Sequence, residues 1–513
     1  MGPRLRIVQV NDVYSLENLP RLHTLVQAMR TEDAADATLV VVAGDFLAPS
    51  LLSSLDAGKG IVACLNAIGV THVIFGNHED DVPPVELRER VKELHAKWLD
   101  TNVEGFEPRL PRSDVVTVTS REGRSVRVGL VGVVMADPSV YRRTPFGGAA
   151  IRPANETAVA EASRLLREEG CACVVPLTHQ PMDDDRALAL STIQPPFPVI
   201  IGGHEHVPAV EQVGTTWIVK AGMDAARAAV TDLVWNDPAS TVPSVSTRLV
   251  PVASYAENEP LRALVDVHMA KVHAIESASL VTLAPGETLS SVGTRAMQTS
   301  MGAWVCSCLR DALGADVGVF NGGGIRASRE YTERLTYGDI KTELPFDNEV
   351  VVVSLPGAVL AEAITASRAH APVESGGYLQ VDDRLATTPV DPARTYRVAT
   401  VRDLFLGMDH IDPLVRWAQA NPGALPPAGS GREVKLVLVE SCALALWRAL
   451  GGFDAIDANG DGRVTLEEIE AAIARVRHEA PSEVAARLVL QALDRDHSGT
   501  VTPDEADPVE RYR

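Results

Sequence analysis

Five short polar motifs, each placed directly after an apolar run, constrain this chain more than any other feature. The runs are Leu5 to Val10, Thr38 to Ala43, His72 to Phe75, Ala172 to Leu177 and Pro198 to Ile201. The motifs that follow are Asn11-Asp12-Val13-Tyr14, Gly44-Asp45, Gly76-Asn77-His78-Glu79, Thr178-His179 and Gly203-His204-Glu205-His206. Short apolar runs bounded by turn residues read as buried strands. A residue just past the carboxyl end of each of several such strands points into one crevice. Asp, Asn and His gathered there suit a two-metal hydrolase. A lone Gly-Asp or a lone His occurs by chance or serves structure. The ordered set carries the inference.

Within the set, Asp45 is the candidate bridge between two ions, because a carboxylate has two oxygens to share. Asn77 offers a neutral carbonyl oxygen, and His179, His204 and His206 offer imidazole nitrogens. Residues 204 and 206 share a side if the Gly-His-Glu-His stretch is extended. His78 adjoins a ligand, and Asp81, three residues on, can orient its ring. A His–carboxylate pair can stabilise phosphoryl charge or protonate a leaving oxygen.

At 513 residues the chain is too long for one core, and an apolar content of 46% is enough to fill several. Aromatics make up only 4%, which leaves most of the packing to aliphatic side chains. The formal net charge of -21 argues against a nucleic-acid polymer as partner, which needs clustered Lys and Arg. An anionic substrate must be attracted by a local field. No apolar run approaches the ~20 residues of a membrane span, so no membrane partner is expected. No charged-then-apolar leader precedes residue 5, and a cytoplasmic location is the expectation. The six cysteines mostly fall in apolar stretches and read as buried thiols.

Residues 1–250 alternate short strands with helical segments, an α/β pattern. Pro260 to Ala278 reads as one helix, giving a helical linker over 251–280. A second α/β segment covers 281–440, and 441–513 is helical with two acidic loops.

The metal-ligand motifs resemble those of the calcineurin-like metallophosphoesterases. More closely they resemble the 5′-nucleotidase family, which includes UDP-sugar hydrolases and cyclic-nucleotide phosphodiesterases. The likeness spans about residues 1 to 415. It implies a four-layer metallophosphatase domain followed by a second α/β domain that recognises substrate. It implies one metal held by Asp12, Asp45 and His206, a second held by Asp45, Asn77, His179 and His204, and a catalytic dyad of His78 and Asp81. The ions would be Zn, Mn, Co or Fe. One departure stands out: the family has Asp-x-His at the first motif, and this chain has Tyr14. Tyr14 is then either a phenolate ligand suited to a harder ion such as Fe³⁺ or a hydrogen-bond donor behind the ligands.

Asn321-Gly322-Gly323-Gly324-Ile325-Arg326 follows a strand ending at Phe320. Its glycines let backbone approach a ligand, and Arg326 can fork two donors onto an anion. By residues alone this is either a binding loop or a plain turn. The resemblance makes it the nucleotide-binding string, with Arg295 on the phosphate side. It also places Tyr378 as one ring against a base and leaves Phe405 as the second ring and Asp409 as a ribose contact. The stretch Gly407-Met408-Asp409-His410 departs from the family's Gly-Gly-Asp-Gly, which leaves open a different base or none.

The segment from Asp457 to Glu468 matches an EF-hand loop. Asp457, Asn459 and Asp461 are side-chain donors, Arg463 gives its carbonyl, Gly462 permits the turn and Glu468 closes it. A second loop repeats the pattern with Asp494, Asp496, Ser498, Thr500 and Glu505, and with fewer charges. The expected protein is a metal-dependent phosphoester hydrolase acting on a nucleoside 5′-monophosphate or other small phosphate ester, with Ca²⁺ at both loops. One alternative is a phosphodiesterase or pyrophosphatase acting on cyclic nucleotides or UDP-sugars. Another is a calcium-sensing interaction protein with a degenerate phosphatase core.

Overall fold

The apolar runs become neighbouring strands in a computed structural model that describes all residues except 1, 33–34, 142–144, 238–239, 278, 370–376, 478–482, 495–497 and 507–513. Arg4–Val10 pairs in parallel with Ala37–Val42, then His72–Ile74, then Lys97–Leu99. The antiparallel strands Arg227–Val234 and Ser244–Pro251 complete the other edge of this six-stranded sheet. A second six-stranded sheet runs in the order Ala209–Val213, Thr216–Lys220, Val199–Gly203, Cys173–His179, Ser125–Val134, Ser113–Thr119. Strands covered on both faces need continuous apolar sequence. Cys173–His179 is accordingly buried along its whole length.

The two sheets face each other through Leu5, Ile7, Val41 and Ile74 on one side and Val128, Val175, Ile201 and Val219 on the other. The far face of the second sheet receives the helix Ala154–Glu168 through Ala158, Ala162 and Leu165, packed on Val131, Val133 and Val174. Helix Leu19–Thr31 lies on the first sheet, beside helix Lys59–Ile68. The buried Arg6 guanidinium ties the first helix down by donating to the Met29 carbonyl and pairing with Asp232. The result is the expected helix–sheet–sheet–helix order.

Phe46, Phe75, Trp98, Phe106, Phe146 and Tyr141 form one linked cluster. It lies around the start of the Gly76–Glu79 motif, where rigid side chains support a loop.

The chain divides into two compact units, Met1–Ala270 and Lys271–Arg513. The expected linker helix spans Glu259–Ser277. Its first turns are bound to the first unit. Leu261 and Val265 are buried, and Arg262 pairs with Glu17 and Glu257.

In the second unit a five-stranded sheet runs in the order Leu379–Val381, Val317–Asn321, Thr395–Val401, Glu349–Pro356, Arg432–Glu433. Helix Ser300–Ala312 packs on it, started by a Thr299 cap whose side chain accepts from the Gly302 amide. The helix Val434–Ala449 runs through residue 441 without a break. It packs on Ser300–Ala312 and also on Glu483–Leu493 of the tail. The tail therefore shares an element with the α/β part, because one apolar helix serves both cores. The two acidic loops are joined by an antiparallel bridge between Val464 and Val501, with N···O distances of 2.8 and 2.9 Å.

Candidate metal centre

The strand ends meet as the motifs predict, and their backbones are unusual. Asp12, Asp45 and His204 have φ of 52°, 54° and 81°. Non-glycine residues rarely adopt this left-handed region, and when they do they cluster at functional sites. The motif glycines are explained by close approach. A Cβ on Gly76 would lie 2.1 Å from Asp45 Oδ1, and one on Gly203 would lie 2.1 Å from the Ala43 carbonyl oxygen.

Asp12, Asp45 and His179 are oriented from behind. Asp12 Oδ2 accepts from Asn11 Nδ2 at 2.6 Å and from the His204 amide at 3.0 Å. Asn11 is itself held by the Gly222 carbonyl and the Ala221 amide. Asp45 Oδ1 accepts from the His78 amide at 2.8 Å. His179 Nδ1 lies 2.8 Å from the Ala43 carbonyl and donates to it, which leaves Nε2 as the ring atom facing the crevice.

The atoms that face the crevice fit a cation pair. Asp45, His179 and His204 offer ligand atoms all within 4.8 Å of one another. His204 Nε2 and both polar atoms of the Asn77 amide are buried and carry no hydrogen bond. Buried polar atoms are otherwise nearly always paired. His179 Nε2 lies 3.0 Å from Asp45 Oδ2, and His206 Nε2 lies 3.5 Å from Asp12 Oδ1.

The electrostatics agree. Burial opposes charge on His179, but Asp45 and Asp12 outweigh it and push that imidazole up to about 10. Burial, then the His179 charge, pushes His204 down to about 3. Burial acts to raise both carboxyls, yet His179 holds Asp12 and Asp45 low. The two carboxylates thus demand positive charge between them.

His78 Nδ1 lies 2.8 Å from Asp81 Oδ2, which sets the expected dyad. Between them in sequence, Glu79 has a role that the motif alone did not show. Its buried carboxylate accepts from the amides of Asp45, Phe46, Leu47 and Gly76 at 2.5–3.0 Å, fastening one ligand loop to the other. Burial and the nearby Asp45 push this carboxyl up to about 7, against the pull of the amides. Read as a run of three acids, 79–81 conceals this. The next acid, Asp80, accepts from the Phe146 amide at 2.6 Å and ties the dyad turn to the aromatic cluster. Asp224 likewise escaped notice: its carboxylate accepts from the Tyr14 and Ser15 amides at 2.9 Å.

Tyr14 lies within the crevice. Its hydroxyl is 3.1 Å from Asp12 Oδ1, 3.3 Å from Asp45 Oδ2 and 3.2 Å from His206 Nε2. Burial, then Asp45 and Asp12, raise its pKa well above the ordinary phenol value. A neutral phenol between two carboxylates is a donor that bridges them.

In the second unit Asn321 is buried, and its Nδ2 donates to Asp409 Oδ2 at 2.5 Å. Gly323 and its neighbours form a buried single turn after the strand. Arg295 is half-buried. The Arg326 guanidinium lies over the Phe346 ring at 5.2 Å, and Phe346 is 45% exposed. Tyr378 is almost covered and carries Arg368 at 5.6 Å.

Phe405 corrects an expectation. It is only 2% exposed and packs against Trp417 with ring centroids 5.8 Å apart, so it presents no face to a base. The apolar side of helix Asp412–Ala420 claims it. Asp409 and His410 both have positive φ, so the loop bends where a Gly-Gly-Asp-Gly stretch was expected.

In the first acidic loop Asp457 accepts from the Gly460 and Gly462 amides at 2.9 and 3.0 Å. Asn459 accepts from the Asp461 amide and Asp461 from the Arg463 amide. Glu468 reaches back to the Ala458 amide at 3.1 Å. In the second loop Asp494 accepts from Ser498 and Gly499, Ser498 meets Thr500, and Glu505 accepts from Thr502. Asp496 lies outside the described residues.

Comparison with known proteins agrees with this geometry. Residues 5–208 match the calcineurin-like phosphoesterase family, residues 279–386 the 5′-nucleotidase C-terminal domain, and residues 451–473 an EF hand. Protein UshA of Escherichia coli (strain K12) is 24% identical over 464 residues, covering 76% of this chain and 81% of that protein. A 5′-nucleotidase of Vibrio vulnificus is 22% identical over 411 residues, covering 70% and 72%. The NAD nucleotidase of Haemophilus influenzae shares the fold, with a TM-score of 0.64 at 13% identity over 85% of this chain and 96% of that one. The strand-end ligand motifs, the layered fold that gathers them and these matches together make the chain a metal-dependent phosphoester hydrolase of the calcineurin-like family with a 5′-nucleotidase C-terminal domain.

Proposed function

We propose that this chain hydrolyses small phosphate monoesters, with nucleoside 5′-monophosphates as the favoured substrates. One observation carries the reading: His204 Nε2 and the Asn77 amide are buried without hydrogen bonds, beside His179 Nε2 and Asp45 Oδ2, which lie 3.0 Å apart. Asp12, Asp45 and His206 would hold one ion, and Asp45, Asn77, His179 and His204 the other. Such a pair supplies an activated water and neutralises phosphoryl charge. Zn, Mn, Co and Fe all accept this mixed nitrogen and oxygen set.

The side chains do the rest. Asp81 holds the His78 ring, and His78 donates to the phosphoryl or leaving oxygen as charge develops there. Arg326, raised over Phe346, offers a fork to an anionic group. Asn321 and Asp409 form one polar pair, suited to hydroxyl groups.

A second reading has its own observation. The burial of Phe405 removes one of the two rings expected to hold a base, which favours a phosphate ester recognised without a stacked base. Cyclic nucleotides and UDP-sugars belong to the same comparison. A substrate panel assayed with Mn²⁺, Zn²⁺, Co²⁺ and Fe decides between these readings. Under the first, Arg326→Ala raises KM for nucleotides far more than for a small artificial ester, because the residue binds substrate and takes no part in the chemistry. Equal losses on both would remove Arg326 from recognition.

We also propose that Ca²⁺ occupies both acidic loops, more tightly in the first. The carboxylates at positions one, five and twelve of that loop, the Asn459 amide at position three and the Val464–Val501 bridge support it. The shared helix Val434–Ala449 offers a route to the substrate loop. Lys435 at its start pairs with Asp347, beside Phe346, while its other end packs in the tail.

A further inference from the structure

We propose that Lys220 is a positioning residue for the metal centre, an internal cation that clamps two ligand-bearing turns together. It ends the strand Thr216–Lys220, and its side chain has no exposure. A buried ammonium is expensive unless every donor is used. Here Nζ donates to the Gln180 carbonyl at 2.7 Å and the Gly203 carbonyl at 2.8 Å, and it pairs with Asp185 at 2.9 Å and with Glu205.

Those two carbonyls are informative. Gln180 follows His179, and Gly203 precedes His204. One ammonium therefore joins the backbones that deliver the two imidazoles that, with Asp45, offer ligand atoms within 4.8 Å of one another. The pairing carboxylates extend the clamp. Glu205 lies between His204 and His206, and its Oε1 also accepts from the Met182 amide at 2.6 Å. Asp185 accepts from Gln180 Nε2 at 3.0 Å. None of these atoms points at the candidate ligand atoms, so Lys220 acts through His179 and His204 by fixing their separation. Groups that hold a metal ligand from behind change metal affinity by about 10–100-fold when lost.

The inference rests on the reading of His179 and His204 as ligands. That reading is tested first, by whether the parent protein binds two Mn²⁺ or Zn²⁺ ions per chain. Two variants then test Lys220. K220M removes the clamp, and K220M/D185N/E205Q also removes the carboxylates it would strand. The measurement is Mn²⁺ or Zn²⁺ affinity by chelator competition, on protein shown to be folded by circular dichroism. Affinity for one ion is expected to fall by about tenfold or more in both variants. Turnover should recover at excess metal with KM little changed. Parent-like affinity in either folded variant would overturn the proposal. So would failure of both to fold, since Lys220 would then serve stability alone.

Discussion

The crevice around Asp45 and the acidic loop at Asp457–Glu468 both gather carboxylates, but they are built in opposite ways. In the crevice the candidate ligands come from residues 12 to 206, and several are held by partners far away in the chain, such as the Ala43 carbonyl behind His179 and Glu79 on the Asp45 amide. Among them, His204 Nε2 and the Asn77 amide are buried without a hydrogen bond. In the loop the donors lie within twelve residues, are largely exposed, and satisfy themselves on amides of the same loop. The first arrangement stores the demand for a cation in the tertiary structure. The second can be satisfied by water and its own backbone, so it can fill and empty at lower cost. A catalytic ion needs the former and a signalling ion the latter.

The largest expected effect breaks the first site. Asp45→Asn should reduce turnover by at least about 10²-fold, by analogy with the loss of supporting groups, and should lower bound metal. Steady-state kinetics beside elemental analysis checks it, and normal turnover with full occupancy would sink the bridging assignment.

A smaller effect is expected in the second region. Glu468→Gln should weaken Ca²⁺ at the first loop by roughly tenfold or more, since a bidentate carboxylate is lost, while kcat at saturating transition metal stays near the parent value. Calorimetry of Ca²⁺ binding with a parallel activity assay separates the two. A matching loss of activity would show that the regions are not independent.

Ca²⁺ itself should stabilise the unit that contains the loops. A ligand at 100 times its Kd adds about 2.7 kcal/mol, visible as a rise in Tm for that unit alone. Hydrogen exchange along the chain would locate the protection, and protection confined to the first unit would refute the assignment.

The smallest change is expected from Tyr14→His. It replaces a bridging phenol with an imidazole and should alter which ion is preferred rather than abolish activity. Metal content and activity across Mn²⁺, Zn²⁺, Co²⁺ and Fe measure it. Identical behaviour would place Tyr14 outside the metal's reach.

Much of this was legible in residues. The strands were readable because parallel strands buried on both faces need unbroken apolar runs, and the ligand candidates because each stands at a strand end. The acidic loops were readable because their spacing is local. Glu79 was not, because its four amide donors come from two separate loops. Nor was Lys220, a lone base at the end of an apolar strand whose partners lie up to 40 residues away. Phe405 misled for a related reason: its position in the chain allows an exposed ring, and only the packing of helix Asp412–Ala420 turns it inward.

What the sequence determined by itself is therefore the list of groups that can bind a cation and the order in which strands present them. Period, spacing and side-chain chemistry are local properties and survive without a fold. What only the tertiary structure decided is which atoms are left without partners, which carboxylates face an opposing charge and which glycines admit a neighbour's backbone. Those depend on distances between segments far apart in the chain, and only packing sets such distances.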